Sequence, residues 1–171
     1  MIGKIHGAFR IEPLGAGHER ETFSCGVPEL DGYIRQQAGQ DLRRKLATVF
    51  VLTLDGRQVA GYYTLSAHTI NARELPEDLG RKLPKFPIPV TLLGRMAVGN
   101  VFRGQGLGRF ILMDALQRLW QSSQQIASWA VVVDAEAGAR DFYLEHEFIQ
   151  LPGKPDRLFL PMKTIEELVS G

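Results

Sequence analysis

The sequence holds a single cysteine, Cys25, among its 171 residues. A disulfide framework and a cysteine-based zinc site are thereby excluded. No apolar run reaches the length of about 18 residues that a membrane-crossing helix needs. The first residues, Met1-Ile2-Gly3-Lys4-Ile5-His6, lack the apolar stretch of a secretory signal. A cytoplasmic protein is the default expectation. Internal repeats, low-complexity tracts and linkers are also missing, so one α/β domain over residues 1–171 is expected. Apolar residues make up 44% and charged residues 23%. That is the mix of a globular domain able to bury a core without metals or disulfides.

Acids are missing from one long stretch. Residues 79–113 carry six basic side chains (Arg81, Lys82, Lys85, Arg95, Arg103, Arg109) and no carboxylate, although the whole chain is only +1. Residues 134–171 carry 4 basic and 8 acidic side chains. An acid-free stretch of this kind fits an anionic ligand nearby; solvation of loops is the bland alternative.

Hydropathy and turn chemistry divide the chain into short elements. Residues 8–12 alternate like a strand, and residues 28–46 read as one or two helices opened by Pro28. Thr48–Leu54 and Val59–Ser66 read as a hairpin about Asp55-Gly56. Residues 70–89 hold four prolines and read as loop with at most a short helix. Val90–Val98, mostly apolar on both faces, reads as a central strand. Helices are expected over Gly106–Ser122 and Ala135–His146, flanking a buried strand at Trp129–Val133. Two strands close the sheet near Phe148–Leu151 and Arg157–Leu160. A last helix is expected near Thr164, where Thr164-Ile165-Glu166-Glu167 has the capping-box form.

The chemistry concentrates where the central strand meets the first of these two helices. Gly99–Gln105 is a turn, and Arg103-Gly104-Gln105-Gly106-Leu107-Gly108-Arg109 opens the helix. A helix N-terminus offers unpaired N–H groups and a positive dipole end. Glycine lets a phosphate approach the backbone, and Arg103 and Arg109 add charge on either side. A diphosphate suits this cradle; a helix entry without a ligand is the alternative. A P-loop would need Gly-Lys-Ser/Thr, but Gly108 is followed by Arg109-Phe110. A dinucleotide fingerprint would put Gly-x-Gly-x-x-Gly directly after the strand, which this spacing does not.

Arg103-x-x-Gly106-x-Gly108 resembles the Arg/Gln-x-x-Gly-x-Gly/Ala motif of the GNAT acetyltransferases, and the order of elements is similar along nearly the whole chain. The chain further resembles the branch containing acetyltransferase toxins of type II toxin–antitoxin systems. The supporting residues are Phe23-x-Cys25-Gly26, Leu30-Asp31-x-Tyr33, Ala60–Ser66, Gly94–Val98, Phe142-Tyr143 and Arg157–Met162. The resemblance implies a mixed, mostly antiparallel sheet of six to seven strands with helices on both faces, splayed at an acetyl-CoA site. It implies that Arg103, Gly104, Gln105, Gly106, Leu107, Gly108 and Arg109 hold the coenzyme A pyrophosphate. Met96, Ala97 and Val98 would offer main-chain groups to the pantetheine arm and thioester. It implies no metal.

In this family a tyrosine on the helix after the buried strand protonates the departing thiolate, and Tyr143 matches it. A phenol, with an ordinary pKa of about 10, suits that task; packing beside Phe142 is its plainer role. No general base is visible, because the acid-free stretch supplies no glutamate, and His68 is a lone alternative. Two departures from the family stand out: Glu147 precedes Phe148 where a glycine usually ends the helix, and Gly99-Asn100 replaces an aspartate. The toxin branch implies an aminoacyl-tRNA as acceptor, a ribbon-helix-helix antitoxin and a homodimer. Arg43-Arg44-Lys45 and Arg81-Lys82-x-x-Lys85 are candidate RNA contacts. The alternatives are acetylation of a small amine or peptide, and a module that binds coenzyme A without catalysis.

Overall fold

The structure, a computed structural model, describes residues 7–170. The N-terminal segment read for a secretory signal lies outside the described residues. Among the described residues no helix is long and apolar enough to cross a membrane, and no group of three or more potential metal ligands occurs.

Seven strands form one sheet in the order β1-β2-β3-β4-β5-β7-β6. They are β1 (Arg10–Pro13), β2 (Thr48–Thr53), β3 (Gly61–Ile70), β4 (Ile88–Val98), β5 (Ala130–Asp134), β6 (Ile149–Leu151) and β7 (Lys154–Pro161). The β1–β2, β2–β3, β5–β7 and β6–β7 pairs are antiparallel, whereas β4 and β5 are parallel. This is the mixed, mostly antiparallel sheet expected from the sequence, with β4 in its centre. The helices are α1 (Pro28–Gly32), α2 (Ala38–Arg43), α3 (Glu77–Gly80), α4 (Leu107–Ser123), α5 (Arg140–Glu145) and α6 (Met162–Ser170).

The chain divides into two compact units. The first comprises the described residues up to Ser66 together with Arg95–Ala115. Its core joins Phe23, Leu30, Tyr33 and Ile34 to Val49, Val51, Tyr62 and Ala97. The hairpin turn is set by Asp55, whose Oδ1 accepts from the amides of Arg57 and Gln58, and by Gly56 at φ +82°. A Cβ on Gly61 would lie 2.8 Å from both the Ala97 carbonyl oxygen and Ile111 Cδ1. Glycine is therefore required where β3 faces the end of β4. Helix α1 does not pass into α2 as a plain helix: Tyr33–Gln37 between them is a π-helical turn.

The second unit comprises Ala67–Gly94 and Leu116 onward. Ile70, Leu75, Ile88, Val90, Ala130, Val132, Leu151 and Phe159 form its core. The proline-rich segment holds a 3-10 turn (Ala72–Glu74) and the one-turn α3, as its composition implied.

Two helix boundaries differ from the sequence reading. The helix expected from Ala135 starts at Arg140, because Gly138 adopts φ +85° in a turn closed by Ala139 N–H donating to the Glu136 carbonyl. Ala135 N–H meanwhile donates to the Asp156 carbonyl at 2.7 Å, which holds the segment out of a helix. The last helix starts at Met162, directly after β7, so Thr164 lies inside its first turn and does not cap it.

Candidate active site

In the first unit, β4 ends at Val98 and a 3-10 turn (Asn100–Phe102) leads to α4 at Leu107. Gly104 and Gly106 take φ +81° and +74°, in the region that side chains resist, whereas Gly108 lies in the first turn of α4. A Cβ on Gly104 would meet nothing within 4 Å, so this position faces open space. Phe110 N–H donates to the Gly106 carbonyl, closing the first turn. By helix geometry the amides of Leu107, Gly108 and Arg109 have no acceptor within the helix. The loop thus gathers several N–H donors at the positive end of a 17-residue helix.

The flanking side chains divide. Arg109 is exposed and makes no ion pair with a described residue. Arg103 is also exposed, but its Nη2 donates to the Cys25 carbonyl. Gln105 Nε2 donates to the Phe102 carbonyl at 3.2 Å. Leu107 is buried and anchors the helix start.

Met96, Ala97 and Val98 form the last part of β4. Registered pairing with β5 covers Thr91–Leu93 and stops before them. Ala97 is buried, Met96 and Val98 half-buried. Beside them lies a cluster that the sequence did not disclose. The Arg95 guanidinium sits 3.7 Å from the centre of the Tyr33 ring, and Tyr33 Oη donates to Asp41 Oδ2 at 2.9 Å. Burial, with Asp41 second, pushes the Tyr33 phenol up to about 12. The signal was one arginine in an otherwise apolar strand; its partners come from the π turn and α2, which no spacing rule predicts.

In the second unit, Tyr143 lies on α5 and is 4% exposed. Its ring packs edge-to-face against Phe142 and Phe148, each with centroids 5.3 Å away. Burial raises the phenol above its ordinary pKa, with the Glu136 carboxylate adding to the shift. Its hydroxyl makes no hydrogen bond to a described residue. Downstream, Glu147 N–H donates to the Leu144 carbonyl and Phe148 N–H to the Tyr143 carbonyl. This is the Schellman cap, with Glu147 at φ +72° in its left-handed position. The departure from glycine therefore preserves the turn and strains one residue.

His68 lies half-buried on β3, near enough to Asp134 to favour that carboxylate's charged form. Arg81 and Lys85 line a cavity of about 930 Å³, together with Arg73, Glu77 and Leu83. Arg43, Arg44 and Lys45 are exposed at the end of α2.

Residues 88–162 match the family described as "Acetyltransferase (GNAT) domain". A probable toxin TacT of Sinorhizobium fredii is 33% identical over 170 residues, 93% of this chain and 94% of the relative. A tRNA-acetylating toxin of Mycobacterium tuberculosis is 36% identical over 149 residues, 86% and 89% of the two chains. The structure of AtaT complexed with acetyl-methionyl-tRNAfMet superposes with a TM-score of 0.87 at 30% identity, covering 94% of this chain and 98% of that one. A tyrosine-to-phenylalanine mutant of AtaT, bound to the C-terminus of the antitoxin AtaR and acetyl-CoA, superposes with a TM-score of 0.84 at 26% identity over 96% and 100%. The chain belongs to the GNAT acetyltransferases, as an acetyl-CoA-dependent enzyme resembling the toxin branch of that family.

Proposed function

We propose that this enzyme moves acetyl from acetyl-CoA to the amino group of an aminoacyl-tRNA, blocking that tRNA for translation, with residues 1–171 acting as one domain. The observation that carries the acetyl-CoA half is the loop opening α4. Two left-handed glycines and an unpaired first helical turn make a cradle for a diphosphate. The main-chain groups of Gly104–Arg109 bind the diphosphate, and Arg109 adds charge. Met96, Ala97 and Val98 orient the pantetheine arm through their backbone. Acetyl-CoA supplies the activated acyl group and leaves as a thiol.

Tyr143 is the general acid in this reading. A phenol whose pKa is raised by burial carries its proton at neutral pH. The same apolar surroundings raise the basicity of a thiolate expelled beside it, so the donor is not outmatched. The hydroxyl makes no bond to a described residue that donation would have to break. The α-amine of an aminoacyl ester is weakly basic and largely neutral at physiological pH. It therefore needs little help from a base, and His68 has no required part.

The tRNA half rests on the relatives described as acetylating tRNA or holding acetyl-methionyl-tRNA, and on the basic rim of the second unit's cavity. An antitoxin partner is proposed on the likeness to AtaT bound to AtaR. The deciding experiment incubates the protein with radiolabelled acetyl-CoA and bulk aminoacylated tRNA, with deacylated tRNA, polyamines and peptides in parallel. Label confined to charged tRNA is expected. Label on a small amine or peptide instead would overturn the acceptor, and no label on any of them would overturn catalysis.

A further inference from the structure

The segment Phe23-Ser24-Cys25-Gly26 precedes α1 and has no part in the chemistry above. In the first unit its three consecutive carbonyls are all engaged. The Phe23 carbonyl accepts from Arg35 Nη2. The Ser24 carbonyl accepts from Asn100 N–H at 2.8 Å, and the Cys25 carbonyl accepts from Arg103 Nη2. Two of these three donors belong to the turn that leads into the phosphate loop. The segment is itself fixed from behind: Cys25 N–H donates to Asp31 Oδ1 at 2.8 Å, and Asp31 is only 8% exposed. Gly26 completes it at φ +88°, where a Cβ would stand 3.5 Å from Arg103 Nη2 and 3.6 Å from Asn100 Oδ1.

A buried carboxylate is retained only where it is well partnered, and here the amide of Cys25 is the partner. The guanidinium of Arg103, an exposed residue, likewise donates to a protein carbonyl. We propose that Phe23–Gly26 is a brace that sets the phosphate loop, with Arg103 and Asp31 as positioning residues acting through it. Arg103 holds the loop from its protein side and does not contact the diphosphate. The inference rests on the reading of Gly104–Arg109 as the coenzyme A cradle. It joins Phe23–Gly26 and Asp31 to a loop some 70 residues downstream in sequence.

The test measures acetyl-CoA affinity of the full chain by calorimetry at several salt concentrations, with turnover at saturating acetyl-CoA. The variants are Arg103→Ala, Asp31→Ala, their double mutant, Asp31→Asn and Arg109→Ala. Residues acting through one network are non-additive. Asp31→Ala and Arg103→Ala are each expected to weaken binding about fivefold or more, and the double mutant to be no worse than the weaker single. Asp31→Asn, which keeps the acceptor oxygen, restores affinity to within about twofold of wild type, and turnover at saturation moves less than affinity. Arg103→Ala keeps the wild-type salt dependence, whereas Arg109→Ala loses part of it. Additive singles, Asp31→Ala binding like wild type, or Arg103→Ala losing salt dependence like Arg109→Ala would overturn the brace. Should Asp31→Ala not fold, the salt dependence of Arg103→Ala decides by itself. A wild-type protein that does not bind acetyl-CoA would overturn the cradle itself, an outcome distinct from a failed brace.

Discussion

Two residues on α5 and its cap carry separable predictions. Glu147 holds φ +72° with both Schellman bonds formed, so the strain resides in its own backbone. A left-handed non-glycine residue costs about 1–2 kcal/mol, and glycine returns part of that gain through greater chain entropy. Glu147→Gly is expected to stabilise the protein by about 1 kcal/mol, raising Tm by about 2–4 °C in a scanning melt. A lower melting point would mean that the glutamate side chain stabilises the cap by more than its backbone loses. Tyr143→Phe keeps the ring among Phe142 and Phe148 and removes only the hydroxyl, the proton donor of the proposed mechanism. Turnover should fall about tenfold or more with acetyl-CoA affinity unchanged. Because burial raises this phenol, no alkaline limb from Tyr143 should enter the wild-type rate profile below about pH 10. An unchanged rate in Tyr143→Phe would leave the residue a packing group.

At the scale of elements, the sequence was most legible where periodicity and backbone chemistry coincide. The α4 pattern and its glycines gave both the helix and the loop before it, since left-handed turns leave a mark in composition. The α5 start differs from its sequence pattern because Ala135, Glu136, Ala137 and Ala139 are all good helix formers, and only Gly138 at φ +85° and the Asp156 contact decide otherwise. The Arg95–Tyr33 contact and those of Asn100 and Arg103 with Ser24 and Cys25 are illegible for another reason: they join residues dozens of positions apart through tertiary geometry. Strand pairing adds a testable case. Asp134 and Arg157 face each other across β5 and β7, with Nε to Oδ1 at 2.6 Å and Nη2 to Oδ2 at 2.8 Å. The Arg157 hydrogen bond holds Asp134 below its ordinary pKa. A depressed carboxylate pKa gives stability that is full above the unfolded value of about 3.9 and is lost as pH falls through the lower folded value. The pair is partly exposed, so its contribution is modest. Asp134→Asn should flatten the acid limb of the Tm-versus-pH curve below about pH 4 and lower Tm slightly at neutral pH. An acid limb parallel to wild type would show that the pair does not couple to folding.

For the molecule as a whole, a net charge of +1 cannot draw a polyanion by long-range attraction, so any RNA contact must be local. The rim of Arg73, Arg81 and Lys85 supplies that locality in the second unit, while the acidic residues 134–171 offset it in the total. Local phosphate contacts have a signature that net charge lacks. Each one lost removes about 0.7–0.9 from the slope of log affinity against log salt. If Arg81 and Lys85 meet tRNA phosphates, Arg81→Ala with Lys85→Ala should weaken aminoacyl-tRNA binding and flatten its salt slope by about 1.4–1.8. Acetyl-CoA affinity, which the proposed cradle in the first unit would set, should not follow. A filter-binding series from about 50 to 200 mM salt separates the two. An unchanged slope would remove this rim from the RNA path and move attention to Arg43, Arg44 and Lys45, whose exposed positions at the end of α2 are the other basic cluster. A slope near zero in the wild type itself would be incompatible with a tRNA acceptor held by its backbone, and would favour a small amine even where the phosphate loop and Tyr143 behave as proposed.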